Sequence, residues 1–135
     1  MNRLLLDTNA YAAFKRGHPG TIDLLTYAAE IVICPTVAGE LLAGFHVGQR
    51  EAKNRHDFEI FVDTPRVFEC AHNLDTAEFY GAVYAALRAK GTPIPTNDMW
   101  IAASALQHGL AVCSFDAHFR HIDGLLVINP DQRKG

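Results

Sequence analysis

Four of the chain's 15 acidic residues lie where a carboxylate could take part in chemistry. Asp7 and Asp116 each follow a short apolar run of the kind that forms a buried strand, and Glu40 and Asp98 lie on or beside the apolar stripe of helical segments. The carboxyl ends of parallel strands meet at the edge of a sheet where ligands bind. The sequence therefore predicts that these four side chains converge in one acidic pocket.

The chemistry of such a pocket follows from its charge. At a separation of about 5 Å and an effective dielectric constant of about 20, each pair of carboxylates costs roughly 3 kcal/mol. The pocket is stable if a cation neutralises it or if some of the acids stay protonated. Oxygen ligands favour Mg²⁺ or Mn²⁺ over zinc, and such ions, with water completing their coordination, suit phosphate chemistry.

Each acid also has an ordinary structural explanation. Asp7 and Asp116 could cap the helix or turn that follows, and a helix dipole favours Asp98 in a first turn. The dipole does not explain why Asp98 is on the inward face of its segment. Glu40 could lie in solvent beside its stripe; with Thr36 as the helix N-cap, the capping-box position would be 39, so capping does not explain Glu40.

The elements that must position these acids alternate along the chain. Continuous apolar runs predict five strands that are covered on both faces, at Arg3–Leu6, Ile31–Cys34, Arg66–Cys70, Leu110–Ser114 and Leu125–Ile128. Helical spacing predicts six helices, at about 8–15, 20–29, 36–47, 50–63, 75–90 and 97–108. Strands separated by helices imply a parallel sheet, so we expect one domain over residues 1–135 with an α/β fold, a three-layer α/β/α sandwich.

The ends of the last two helical segments are marked by capping residues. Asp75 is expected to cap the first of them, with Glu78 three residues later completing a capping box. Thr96 is expected to cap the second. Gly91 and Gly109 are expected to end the two helices in a left-handed conformation.

Composition and charge limit the function classes. With 49% hydrophobic and 20% charged residues, the chain is typical of a globular domain. Its net charge of −3 excludes binding to nucleic acid through overall positive charge. No apolar run approaches the roughly 20 residues of a membrane span. Basic residues on helices could form solvated faces or a local rim for RNA phosphates, at Lys15, Arg16, Arg50, Lys53, Arg55 and Arg120.

Cysteines and histidines suggest no second site. The three cysteines lie in apolar runs, which predicts buried free thiols in a reducing cytoplasm and argues against a Cys–His nucleophile pair. His118 and His121 lie three residues apart, but no further pair completes a zinc site. We expect His118 to be a structural residue of its turn. Four other histidines are expected at the surface, at His46, His56, His72 and His108.

The motifs around the four acids resemble those of the PIN-domain ribonucleases and, among these, the small toxins of VapBC-type toxin–antitoxin pairs. The resemblance spans nearly the whole chain, and it depends on the ordered set rather than on any one motif. The matching segments are Leu5-Leu6-Asp7-Thr8-Asn9, Glu40-Leu41-Leu42-Ala43-Gly44, Asn97-Asp98-Met99-Trp100-Ile101-Ala102-Ala103 and Ser114-Phe115-Asp116-Ala117-His118-Phe119.

The resemblance implies a fold and a site. The sheet would have the order 3-2-1-4-5, which brings the first and fourth strands together. The metal-binding acidic set would be Asp7, Glu40, Asp98 and Asp116. Ser114 would support this site by hydrogen bonding, and Thr8 and Asn9 would be the polar residues beside the first acid.

The resemblance also implies an activity and partners. The chain would be a Mg²⁺- or Mn²⁺-dependent endoribonuclease toxin of a type II toxin–antitoxin system, in which metal-activated water cleaves structured RNA such as tRNA or rRNA. A cognate antitoxin, a homodimer and a cytoplasmic location are expected, with no membrane partner. The absence of added domains favours a toxin.

The sequence is also compatible with other functions. A PIN nuclease of RNA maturation and a non-catalytic RNA-binding domain would both retain the fold. A phosphatase of the haloacid dehalogenase kind needs a second acid two residues after the first, where this chain has Asn9. The phosphate-cradling patterns GxxxxGK[ST] and GxGxxG are missing, which argues against a nucleotide-binding protein.

Overall fold

A computed structural model describes residues 2–132 of the chain. The strands are β1 (Arg3–Leu6), β2 (Glu30–Ile33), β3 (Val67–Glu69), β4 (Ala111–Cys113) and β5 (Val127–Ile128). The helices are α1 (Thr8–Lys15), α2 (Pro19–Tyr27), α3 (Pro35–Val47), α4 (Glu51–Val62), α5 (Leu74–Lys90) and α6 (Thr96–His108), and a 3₁₀ turn follows β4 at Ala117–His121. All predicted strands and helices are present, with ends that differ by up to two residues.

The strands form one parallel sheet in the order β3-β2-β1-β4-β5, flanked by helices, which confirms the predicted fold class and strand order. The central strand is β1, where Leu4 pairs with Ile31 of β2 and with Ala111 of β4. Leu4, Leu5 and Leu6 are completely buried. A strand covered on both faces requires apolar residues at successive positions, which explains the uninterrupted leucine run.

The carboxyl ends of β1 and β4 lie side by side. Leu6 is in register with Cys113, and the backbone N–H of Asp7 donates to the Cys113 carbonyl oxygen at 3.1 Å. The residues that follow the two strands, Asp7 and Ser114, are therefore neighbours. Helices α3 and α6 contact each other and complete the surroundings of this edge.

The predicted cap of α5 is wrong. The helix begins at Leu74, so Asp75 lies in its first turn and Asn73 is the N-cap. The Asn73 side chain accepts from the Thr76 N–H at 3.0 Å, and the Thr76 hydroxyl accepts from the Asn73 N–H at 3.1 Å. This reciprocal pair is the capping box of α5 in place of the predicted one with Glu78, and its Thr76 is completely buried.

Two further N-caps differ from expectation, whereas both glycine ends are confirmed. Thr96 is the first residue of α6, and Thr36 lies in the first turn of α3, because each helix starts directly after or at a proline. Gly91 and Gly109 have φ of 69° and 65°, the left-handed conformation that ends a helix. None of the helices within residues 2–132 has the length and apolar character needed to cross a membrane.

Candidate metal and active site

Asp7 is fixed at the end of β1 by two hydrogen bonds. Its residue exposure is 5%, its Oδ1 accepts from the Thr8 N–H at 2.8 Å, and its Oδ2 accepts from the Ser114 hydroxyl at 2.6 Å. The completely buried Ser114 Oγ in turn accepts from the N–H of Asp116 at 2.9 Å. Asp7 therefore caps α1, as its structural explanation required, and is also held against the residues that follow β4.

Glu40 is partly buried, and both of its carboxylate oxygens accept hydrogen bonds from side chains next to other acids of the site. Its Oε1 accepts from the Thr8 hydroxyl at 2.6 Å, and its Oε2 accepts from the Asn97 side-chain amide at 3.2 Å. Asn97 lies one position before Asp98 at the start of α6. Sequence reasoning assigned no role to Asn97, although its place inside the matching motif was the available signal.

Asp98 and Asp116 meet at a histidine. The Nδ1 of His118 lies 3.0 Å from Asp98 Oδ2 and 2.9 Å from Asp116 Oδ1. The Asp98 side chain is 13% exposed, which agrees with its predicted inward face. Asp116 also caps the 3₁₀ turn, because its Oδ1 accepts from the His118 N–H at 2.9 Å.

The expected role of His118 therefore needs correction. It is not only a residue of the turn, because its ring contacts two of the four predicted acids. The turn brings a side chain two residues after Asp116 back over that carboxylate, and α6 supplies Asp98 from the other side. Nothing in the local sequence could reveal the second contact, because 20 residues separate His118 from Asp98.

The other supporting residue, Asn9, holds the loop after β4. Its side-chain oxygen accepts from the Phe115 N–H at 3.5 Å. Thr8 and Ser114 contact the acids directly, whereas Asn9 contacts the backbone beside them.

Electrostatic interactions connect the four carboxylates. Burial raises the pKa of Asp7 from 3.8 to about 6; hydrogen bonds from Ser114 and Thr8 oppose this shift, and the charges of Asp98 and Glu40 add to it. Burial also raises the pKa of Asp98, with the His118 hydrogen bond opposing the shift and the charges of Asp116 and Glu40 adding to it. The hydrogen bond to Asp98 raises the pKa of His118.

This donor set fits a divalent cation. Each raised aspartate pKa reflects burial together with repulsion from another acid, and a cation would relieve the repulsion. The tightest group of possible ligand atoms in the described residues consists of Asp98, Asp116 and His118, whose atoms lie within 4.8 Å of one another. Asp7 and Glu40 lie outside this closest group and join it through the hydrogen bonds and charges described above.

The predictions for the remaining histidines and cysteines are confirmed in part. His72 is half-buried rather than a surface residue, since its Nε2 lies 2.7 Å from Thr36 Oγ1 and its ring stacks on Trp100. His46, His56 and His108 are exposed as expected. The three cysteines are free; Cys34 and Cys113 are buried and Cys70 is partly buried. Burial raises the pKa of Cys34 and Cys113 to about 12, which makes them unsuitable nucleophiles.

Two members of the predicted basic rim have acidic partners on their own helix. Lys53 Nζ lies 2.7 Å from Asp57 Oδ2, and Arg55 Nε lies 3.8 Å from Glu59 Oε1. Pairs of this kind are typical of a solvated helix face. A role of the basic residues in RNA binding therefore stays a prediction.

A family model of the PIN domain matches residues 4–125. The chain belongs to the PIN domain family. The resemblance drawn from the four short motifs is therefore confirmed, and all four acids lie within the matched residues. Ribonuclease VapC2 of Rickettsia felis is 26% identical over 133 residues, which cover 95% of this chain and 98% of the relative.

Other proteins are similar to this chain over nearly their whole length. Plasmid stability protein StbB of Pseudomonas syringae pv. tomato is 31% identical over 139 residues, covering 94% of this chain and 97% of StbB. The structure of VapBC-1 from nontypeable Haemophilus influenzae superposes with a TM-score of 0.84 at 20% identity, over 98% of this chain and 100% of the other. The structure of VapBC2 from Rickettsia felis, bound to a promoter DNA fragment, superposes with a TM-score of 0.81 at 23% identity, over 93% of this chain and 97% of the other.

Proposed function

We propose that this PIN-domain protein is a metal-dependent endoribonuclease and the toxin of a type II toxin–antitoxin pair. The observation that carries the proposal is the single acidic site, in which a buried carboxylate of raised pKa faces further acids at the carboxyl edge of the sheet. Such a site gains stability from a divalent cation, and divalent cations promote phosphodiester hydrolysis. The name and coverage of the relative Ribonuclease VapC2 support RNA as the substrate.

The residues proposed to hold Mg²⁺, or Mn²⁺, are Asp7, Glu40, Asp98 and Asp116, each directly or through water. When bound, the ion would supply a water of lowered pKa and would stabilise negative charge on the phosphoryl oxygens. Asp98 and Asp116 are the two candidates to orient the attacking water, because their side chains are 13% and 30% exposed, whereas Asp7 is buried. Hydrolysis would leave a 5′-phosphate and a 3′-hydroxyl.

Ser114 and Thr8 are proposed as positioning residues. The Ser114 hydroxyl donates to one oxygen of Asp7 and accepts from the backbone of Asp116, so it fixes the distance between two acids that follow different strands. The Thr8 hydroxyl and the Asn97 amide use both oxygens of Glu40 and prevent rotation of that side chain. Both arrangements keep the negative charges in place before an ion binds.

The proposed partners are structured RNA, in tRNA or rRNA, a cognate antitoxin and a second copy of the chain. Solved VapBC complexes of other bacteria support the antitoxin. The paired helices α3 and α4 expose large apolar side chains, Val47 at 88% and Ile60 at 57%, which is the region where we expect the antitoxin. The proposed place of action is the cytoplasm, where the RNA substrates are.

The test is cleavage of a mixed tRNA and rRNA pool by the purified chain with Mg²⁺, with Mn²⁺ and with EDTA. Asp98→Asn is expected to abolish cleavage. Its matched control is Asp75→Asn, because both aspartates lie in the first turn of a helix but Asp75 is exposed. If both variants lose cleavage activity equally, the loss would come from removing a charge in the first turn of a helix and not from the acidic site.

The same experiment separates the alternatives. Cleavage at few, reproducible positions of mature tRNA or rRNA supports a toxin, and cleavage confined to precursor RNA supports a maturation nuclease. RNA binding without cleavage by the folded, antitoxin-free chain would favour a non-catalytic domain. Cleavage that survives both EDTA and Asp98→Asn would refute the acidic-site mechanism.

A further inference from the structure

His118 occupies a place in the acidic site that an all-oxygen metal site does not explain. Its Nδ1 points at one oxygen of Asp98 and one of Asp116, which belong to different elements, α6 and the 3₁₀ turn. A residue with a purely structural role in the turn would need only the contact with Asp116. The contact with Asp98 across the site adds nothing to the turn itself.

The distances between these atoms match those between adjacent ligands of one ion. An octahedral ion with bonds of about 2.1 Å has neighbouring ligand atoms about 3.0 Å apart. His118 Nδ1 lies 3.0 Å from Asp98 Oδ2 and 2.9 Å from Asp116 Oδ1, and each of the three residues offers a ligand atom within 4.8 Å of those of the other two. The three atoms could therefore serve as ligands of one cation with little movement.

The ring of His118 can act as a ligand once an ion replaces its hydrogen bond with Asp98. Its side chain is 48% exposed, and its Nε2 has no hydrogen-bond partner within residues 2–132. In the neutral tautomer with the proton on Nε2, the lone pair of Nδ1 can be donated to an ion. The other oxygen of Asp116 has no hydrogen-bond partner in the described part of the chain, so this carboxylate can bind the ion as well.

We propose that His118 Nδ1 is a metal ligand together with Asp98 and Asp116, and that this nitrogen makes the site selective for Mn²⁺ over Mg²⁺. The inference rests on the proposed metal site and deepens it. Imidazole nitrogen is a better ligand for transition ions than for Mg²⁺, which binds oxygen and retains its water. The alternative is that His118 only neutralises the acids until an ion displaces it.

The two roles predict opposite effects of removing the imidazole. If His118 is a ligand, His118→Gln weakens Mn²⁺ binding by about 10-fold or more and changes Mg²⁺ binding much less. If His118 competes with the ion, the same substitution strengthens the binding of both ions. The exposed position of the side chain indicates that the variant folds, which circular dichroism and the melting temperature would check.

The experiment uses the full chain with Mn²⁺ alone. Pulsed electron paramagnetic resonance would detect the coupling of bound Mn²⁺ to a directly bonded ¹⁴N, and calorimetric titration would give the dissociation constants for Mn²⁺ and Mg²⁺. His121→Gln is the matched control, because His121 lies in the same 3₁₀ turn outside the acidic site. We expect the nitrogen coupling in the wild type and in His121→Gln, and its loss in His118→Gln.

The outcomes distinguish this inference from the proposed function. Mn²⁺ that binds without nitrogen coupling, or that binds His118→Gln at least as tightly as the wild type, would overturn the histidine ligand and leave the carboxylate site intact. A chain that binds no Mn²⁺ would overturn both.

Discussion

Asp7→Asn should stabilise the metal-free protein at neutral pH. Burial raises the pKa of Asp7 from 3.8 to about 6, so the folded protein binds the Asp7 proton more tightly than the unfolded chain. For an acid shifted in this direction, stability is highest below the unfolded pKa and is lost as the pH rises through the folded pKa. At about 1.4 kcal/mol per pKa unit, the loss is about 3 kcal/mol between roughly pH 4 and pH 6.

Asparagine avoids this loss because it carries no charge to bury. Its side-chain oxygen can still accept from the Thr8 N–H, so the cap of α1 is retained. The hydrogen bond with Ser114 must reverse its direction, which we take to cost up to about 1 kcal/mol. We therefore expect Asp7→Asn to be about 2 kcal/mol more stable than the wild type at pH 7.

The assay is urea unfolding in EDTA at a series of pH values from 4 to 7. The raised pKa of Asp98 acts in the same direction, so the difference between the wild type and Asp7→Asn, rather than either curve, isolates Asp7. Asp75→Asn, at an exposed position in α5, is the control and should follow the wild type. If the two curves of the wild type and Asp7→Asn run parallel over this range, the electrostatic account of the site is wrong.

Three further predictions concern the neighbours of the acids and the ion. Ser114→Ala should lower the free energy of unfolding by about 1–3 kcal/mol in chemical denaturation, because Asp7 loses its 2.6 Å hydrogen bond; an unchanged value would contradict this role. Thr8→Val should weaken Mn²⁺ binding about 10-fold in calorimetry by releasing Glu40, whereas Thr8→Ser should bind as the wild type does; equal losses would assign the effect to packing. Mn²⁺ at 100 times its dissociation constant should add about 2.7 kcal/mol of stability in thermal unfolding, and EDTA should remove this gain.

The sequence was sufficient for the strands and helices, because these depend on local patterns. A strand buried on both faces must be apolar at every position, so the run that ends at Leu6 was recognisable. The strand order came from the motif resemblance, since the spacing of apolar runs does not determine which strands pair. The sequence therefore located Asp7 and Asp116, but their closeness required the pairing of β1 with β4.

The features that sequence reasoning missed depend on tertiary contacts. Asp75 and Glu78 form as good a local capping signal as Asn73 and Thr76 do. The structure uses the second pair, and the Thr76 hydroxyl also lies 2.6 Å from the side-chain oxygen of Gln107, a residue of α6 that no local pattern connects to α5. The contact of His118 with Asp98 is of the same kind.

The structural and functional explanations of the site acids are not alternatives. Asp7 uses one oxygen to cap α1 and the other to accept from Ser114, and Asp116 caps the 3₁₀ turn through a single oxygen. A cap fixes a carboxylate through a backbone N–H, which carries no net charge, so the position is fixed without neutralising the acid. A lysine or arginine in that role would fix the acid equally well but would cancel the charge that attracts a cation. Capping therefore lets the fold hold the negative charges of Asp7 and Asp116 in place, and it explains why these two acids stand between a strand and the helix or turn that follows it.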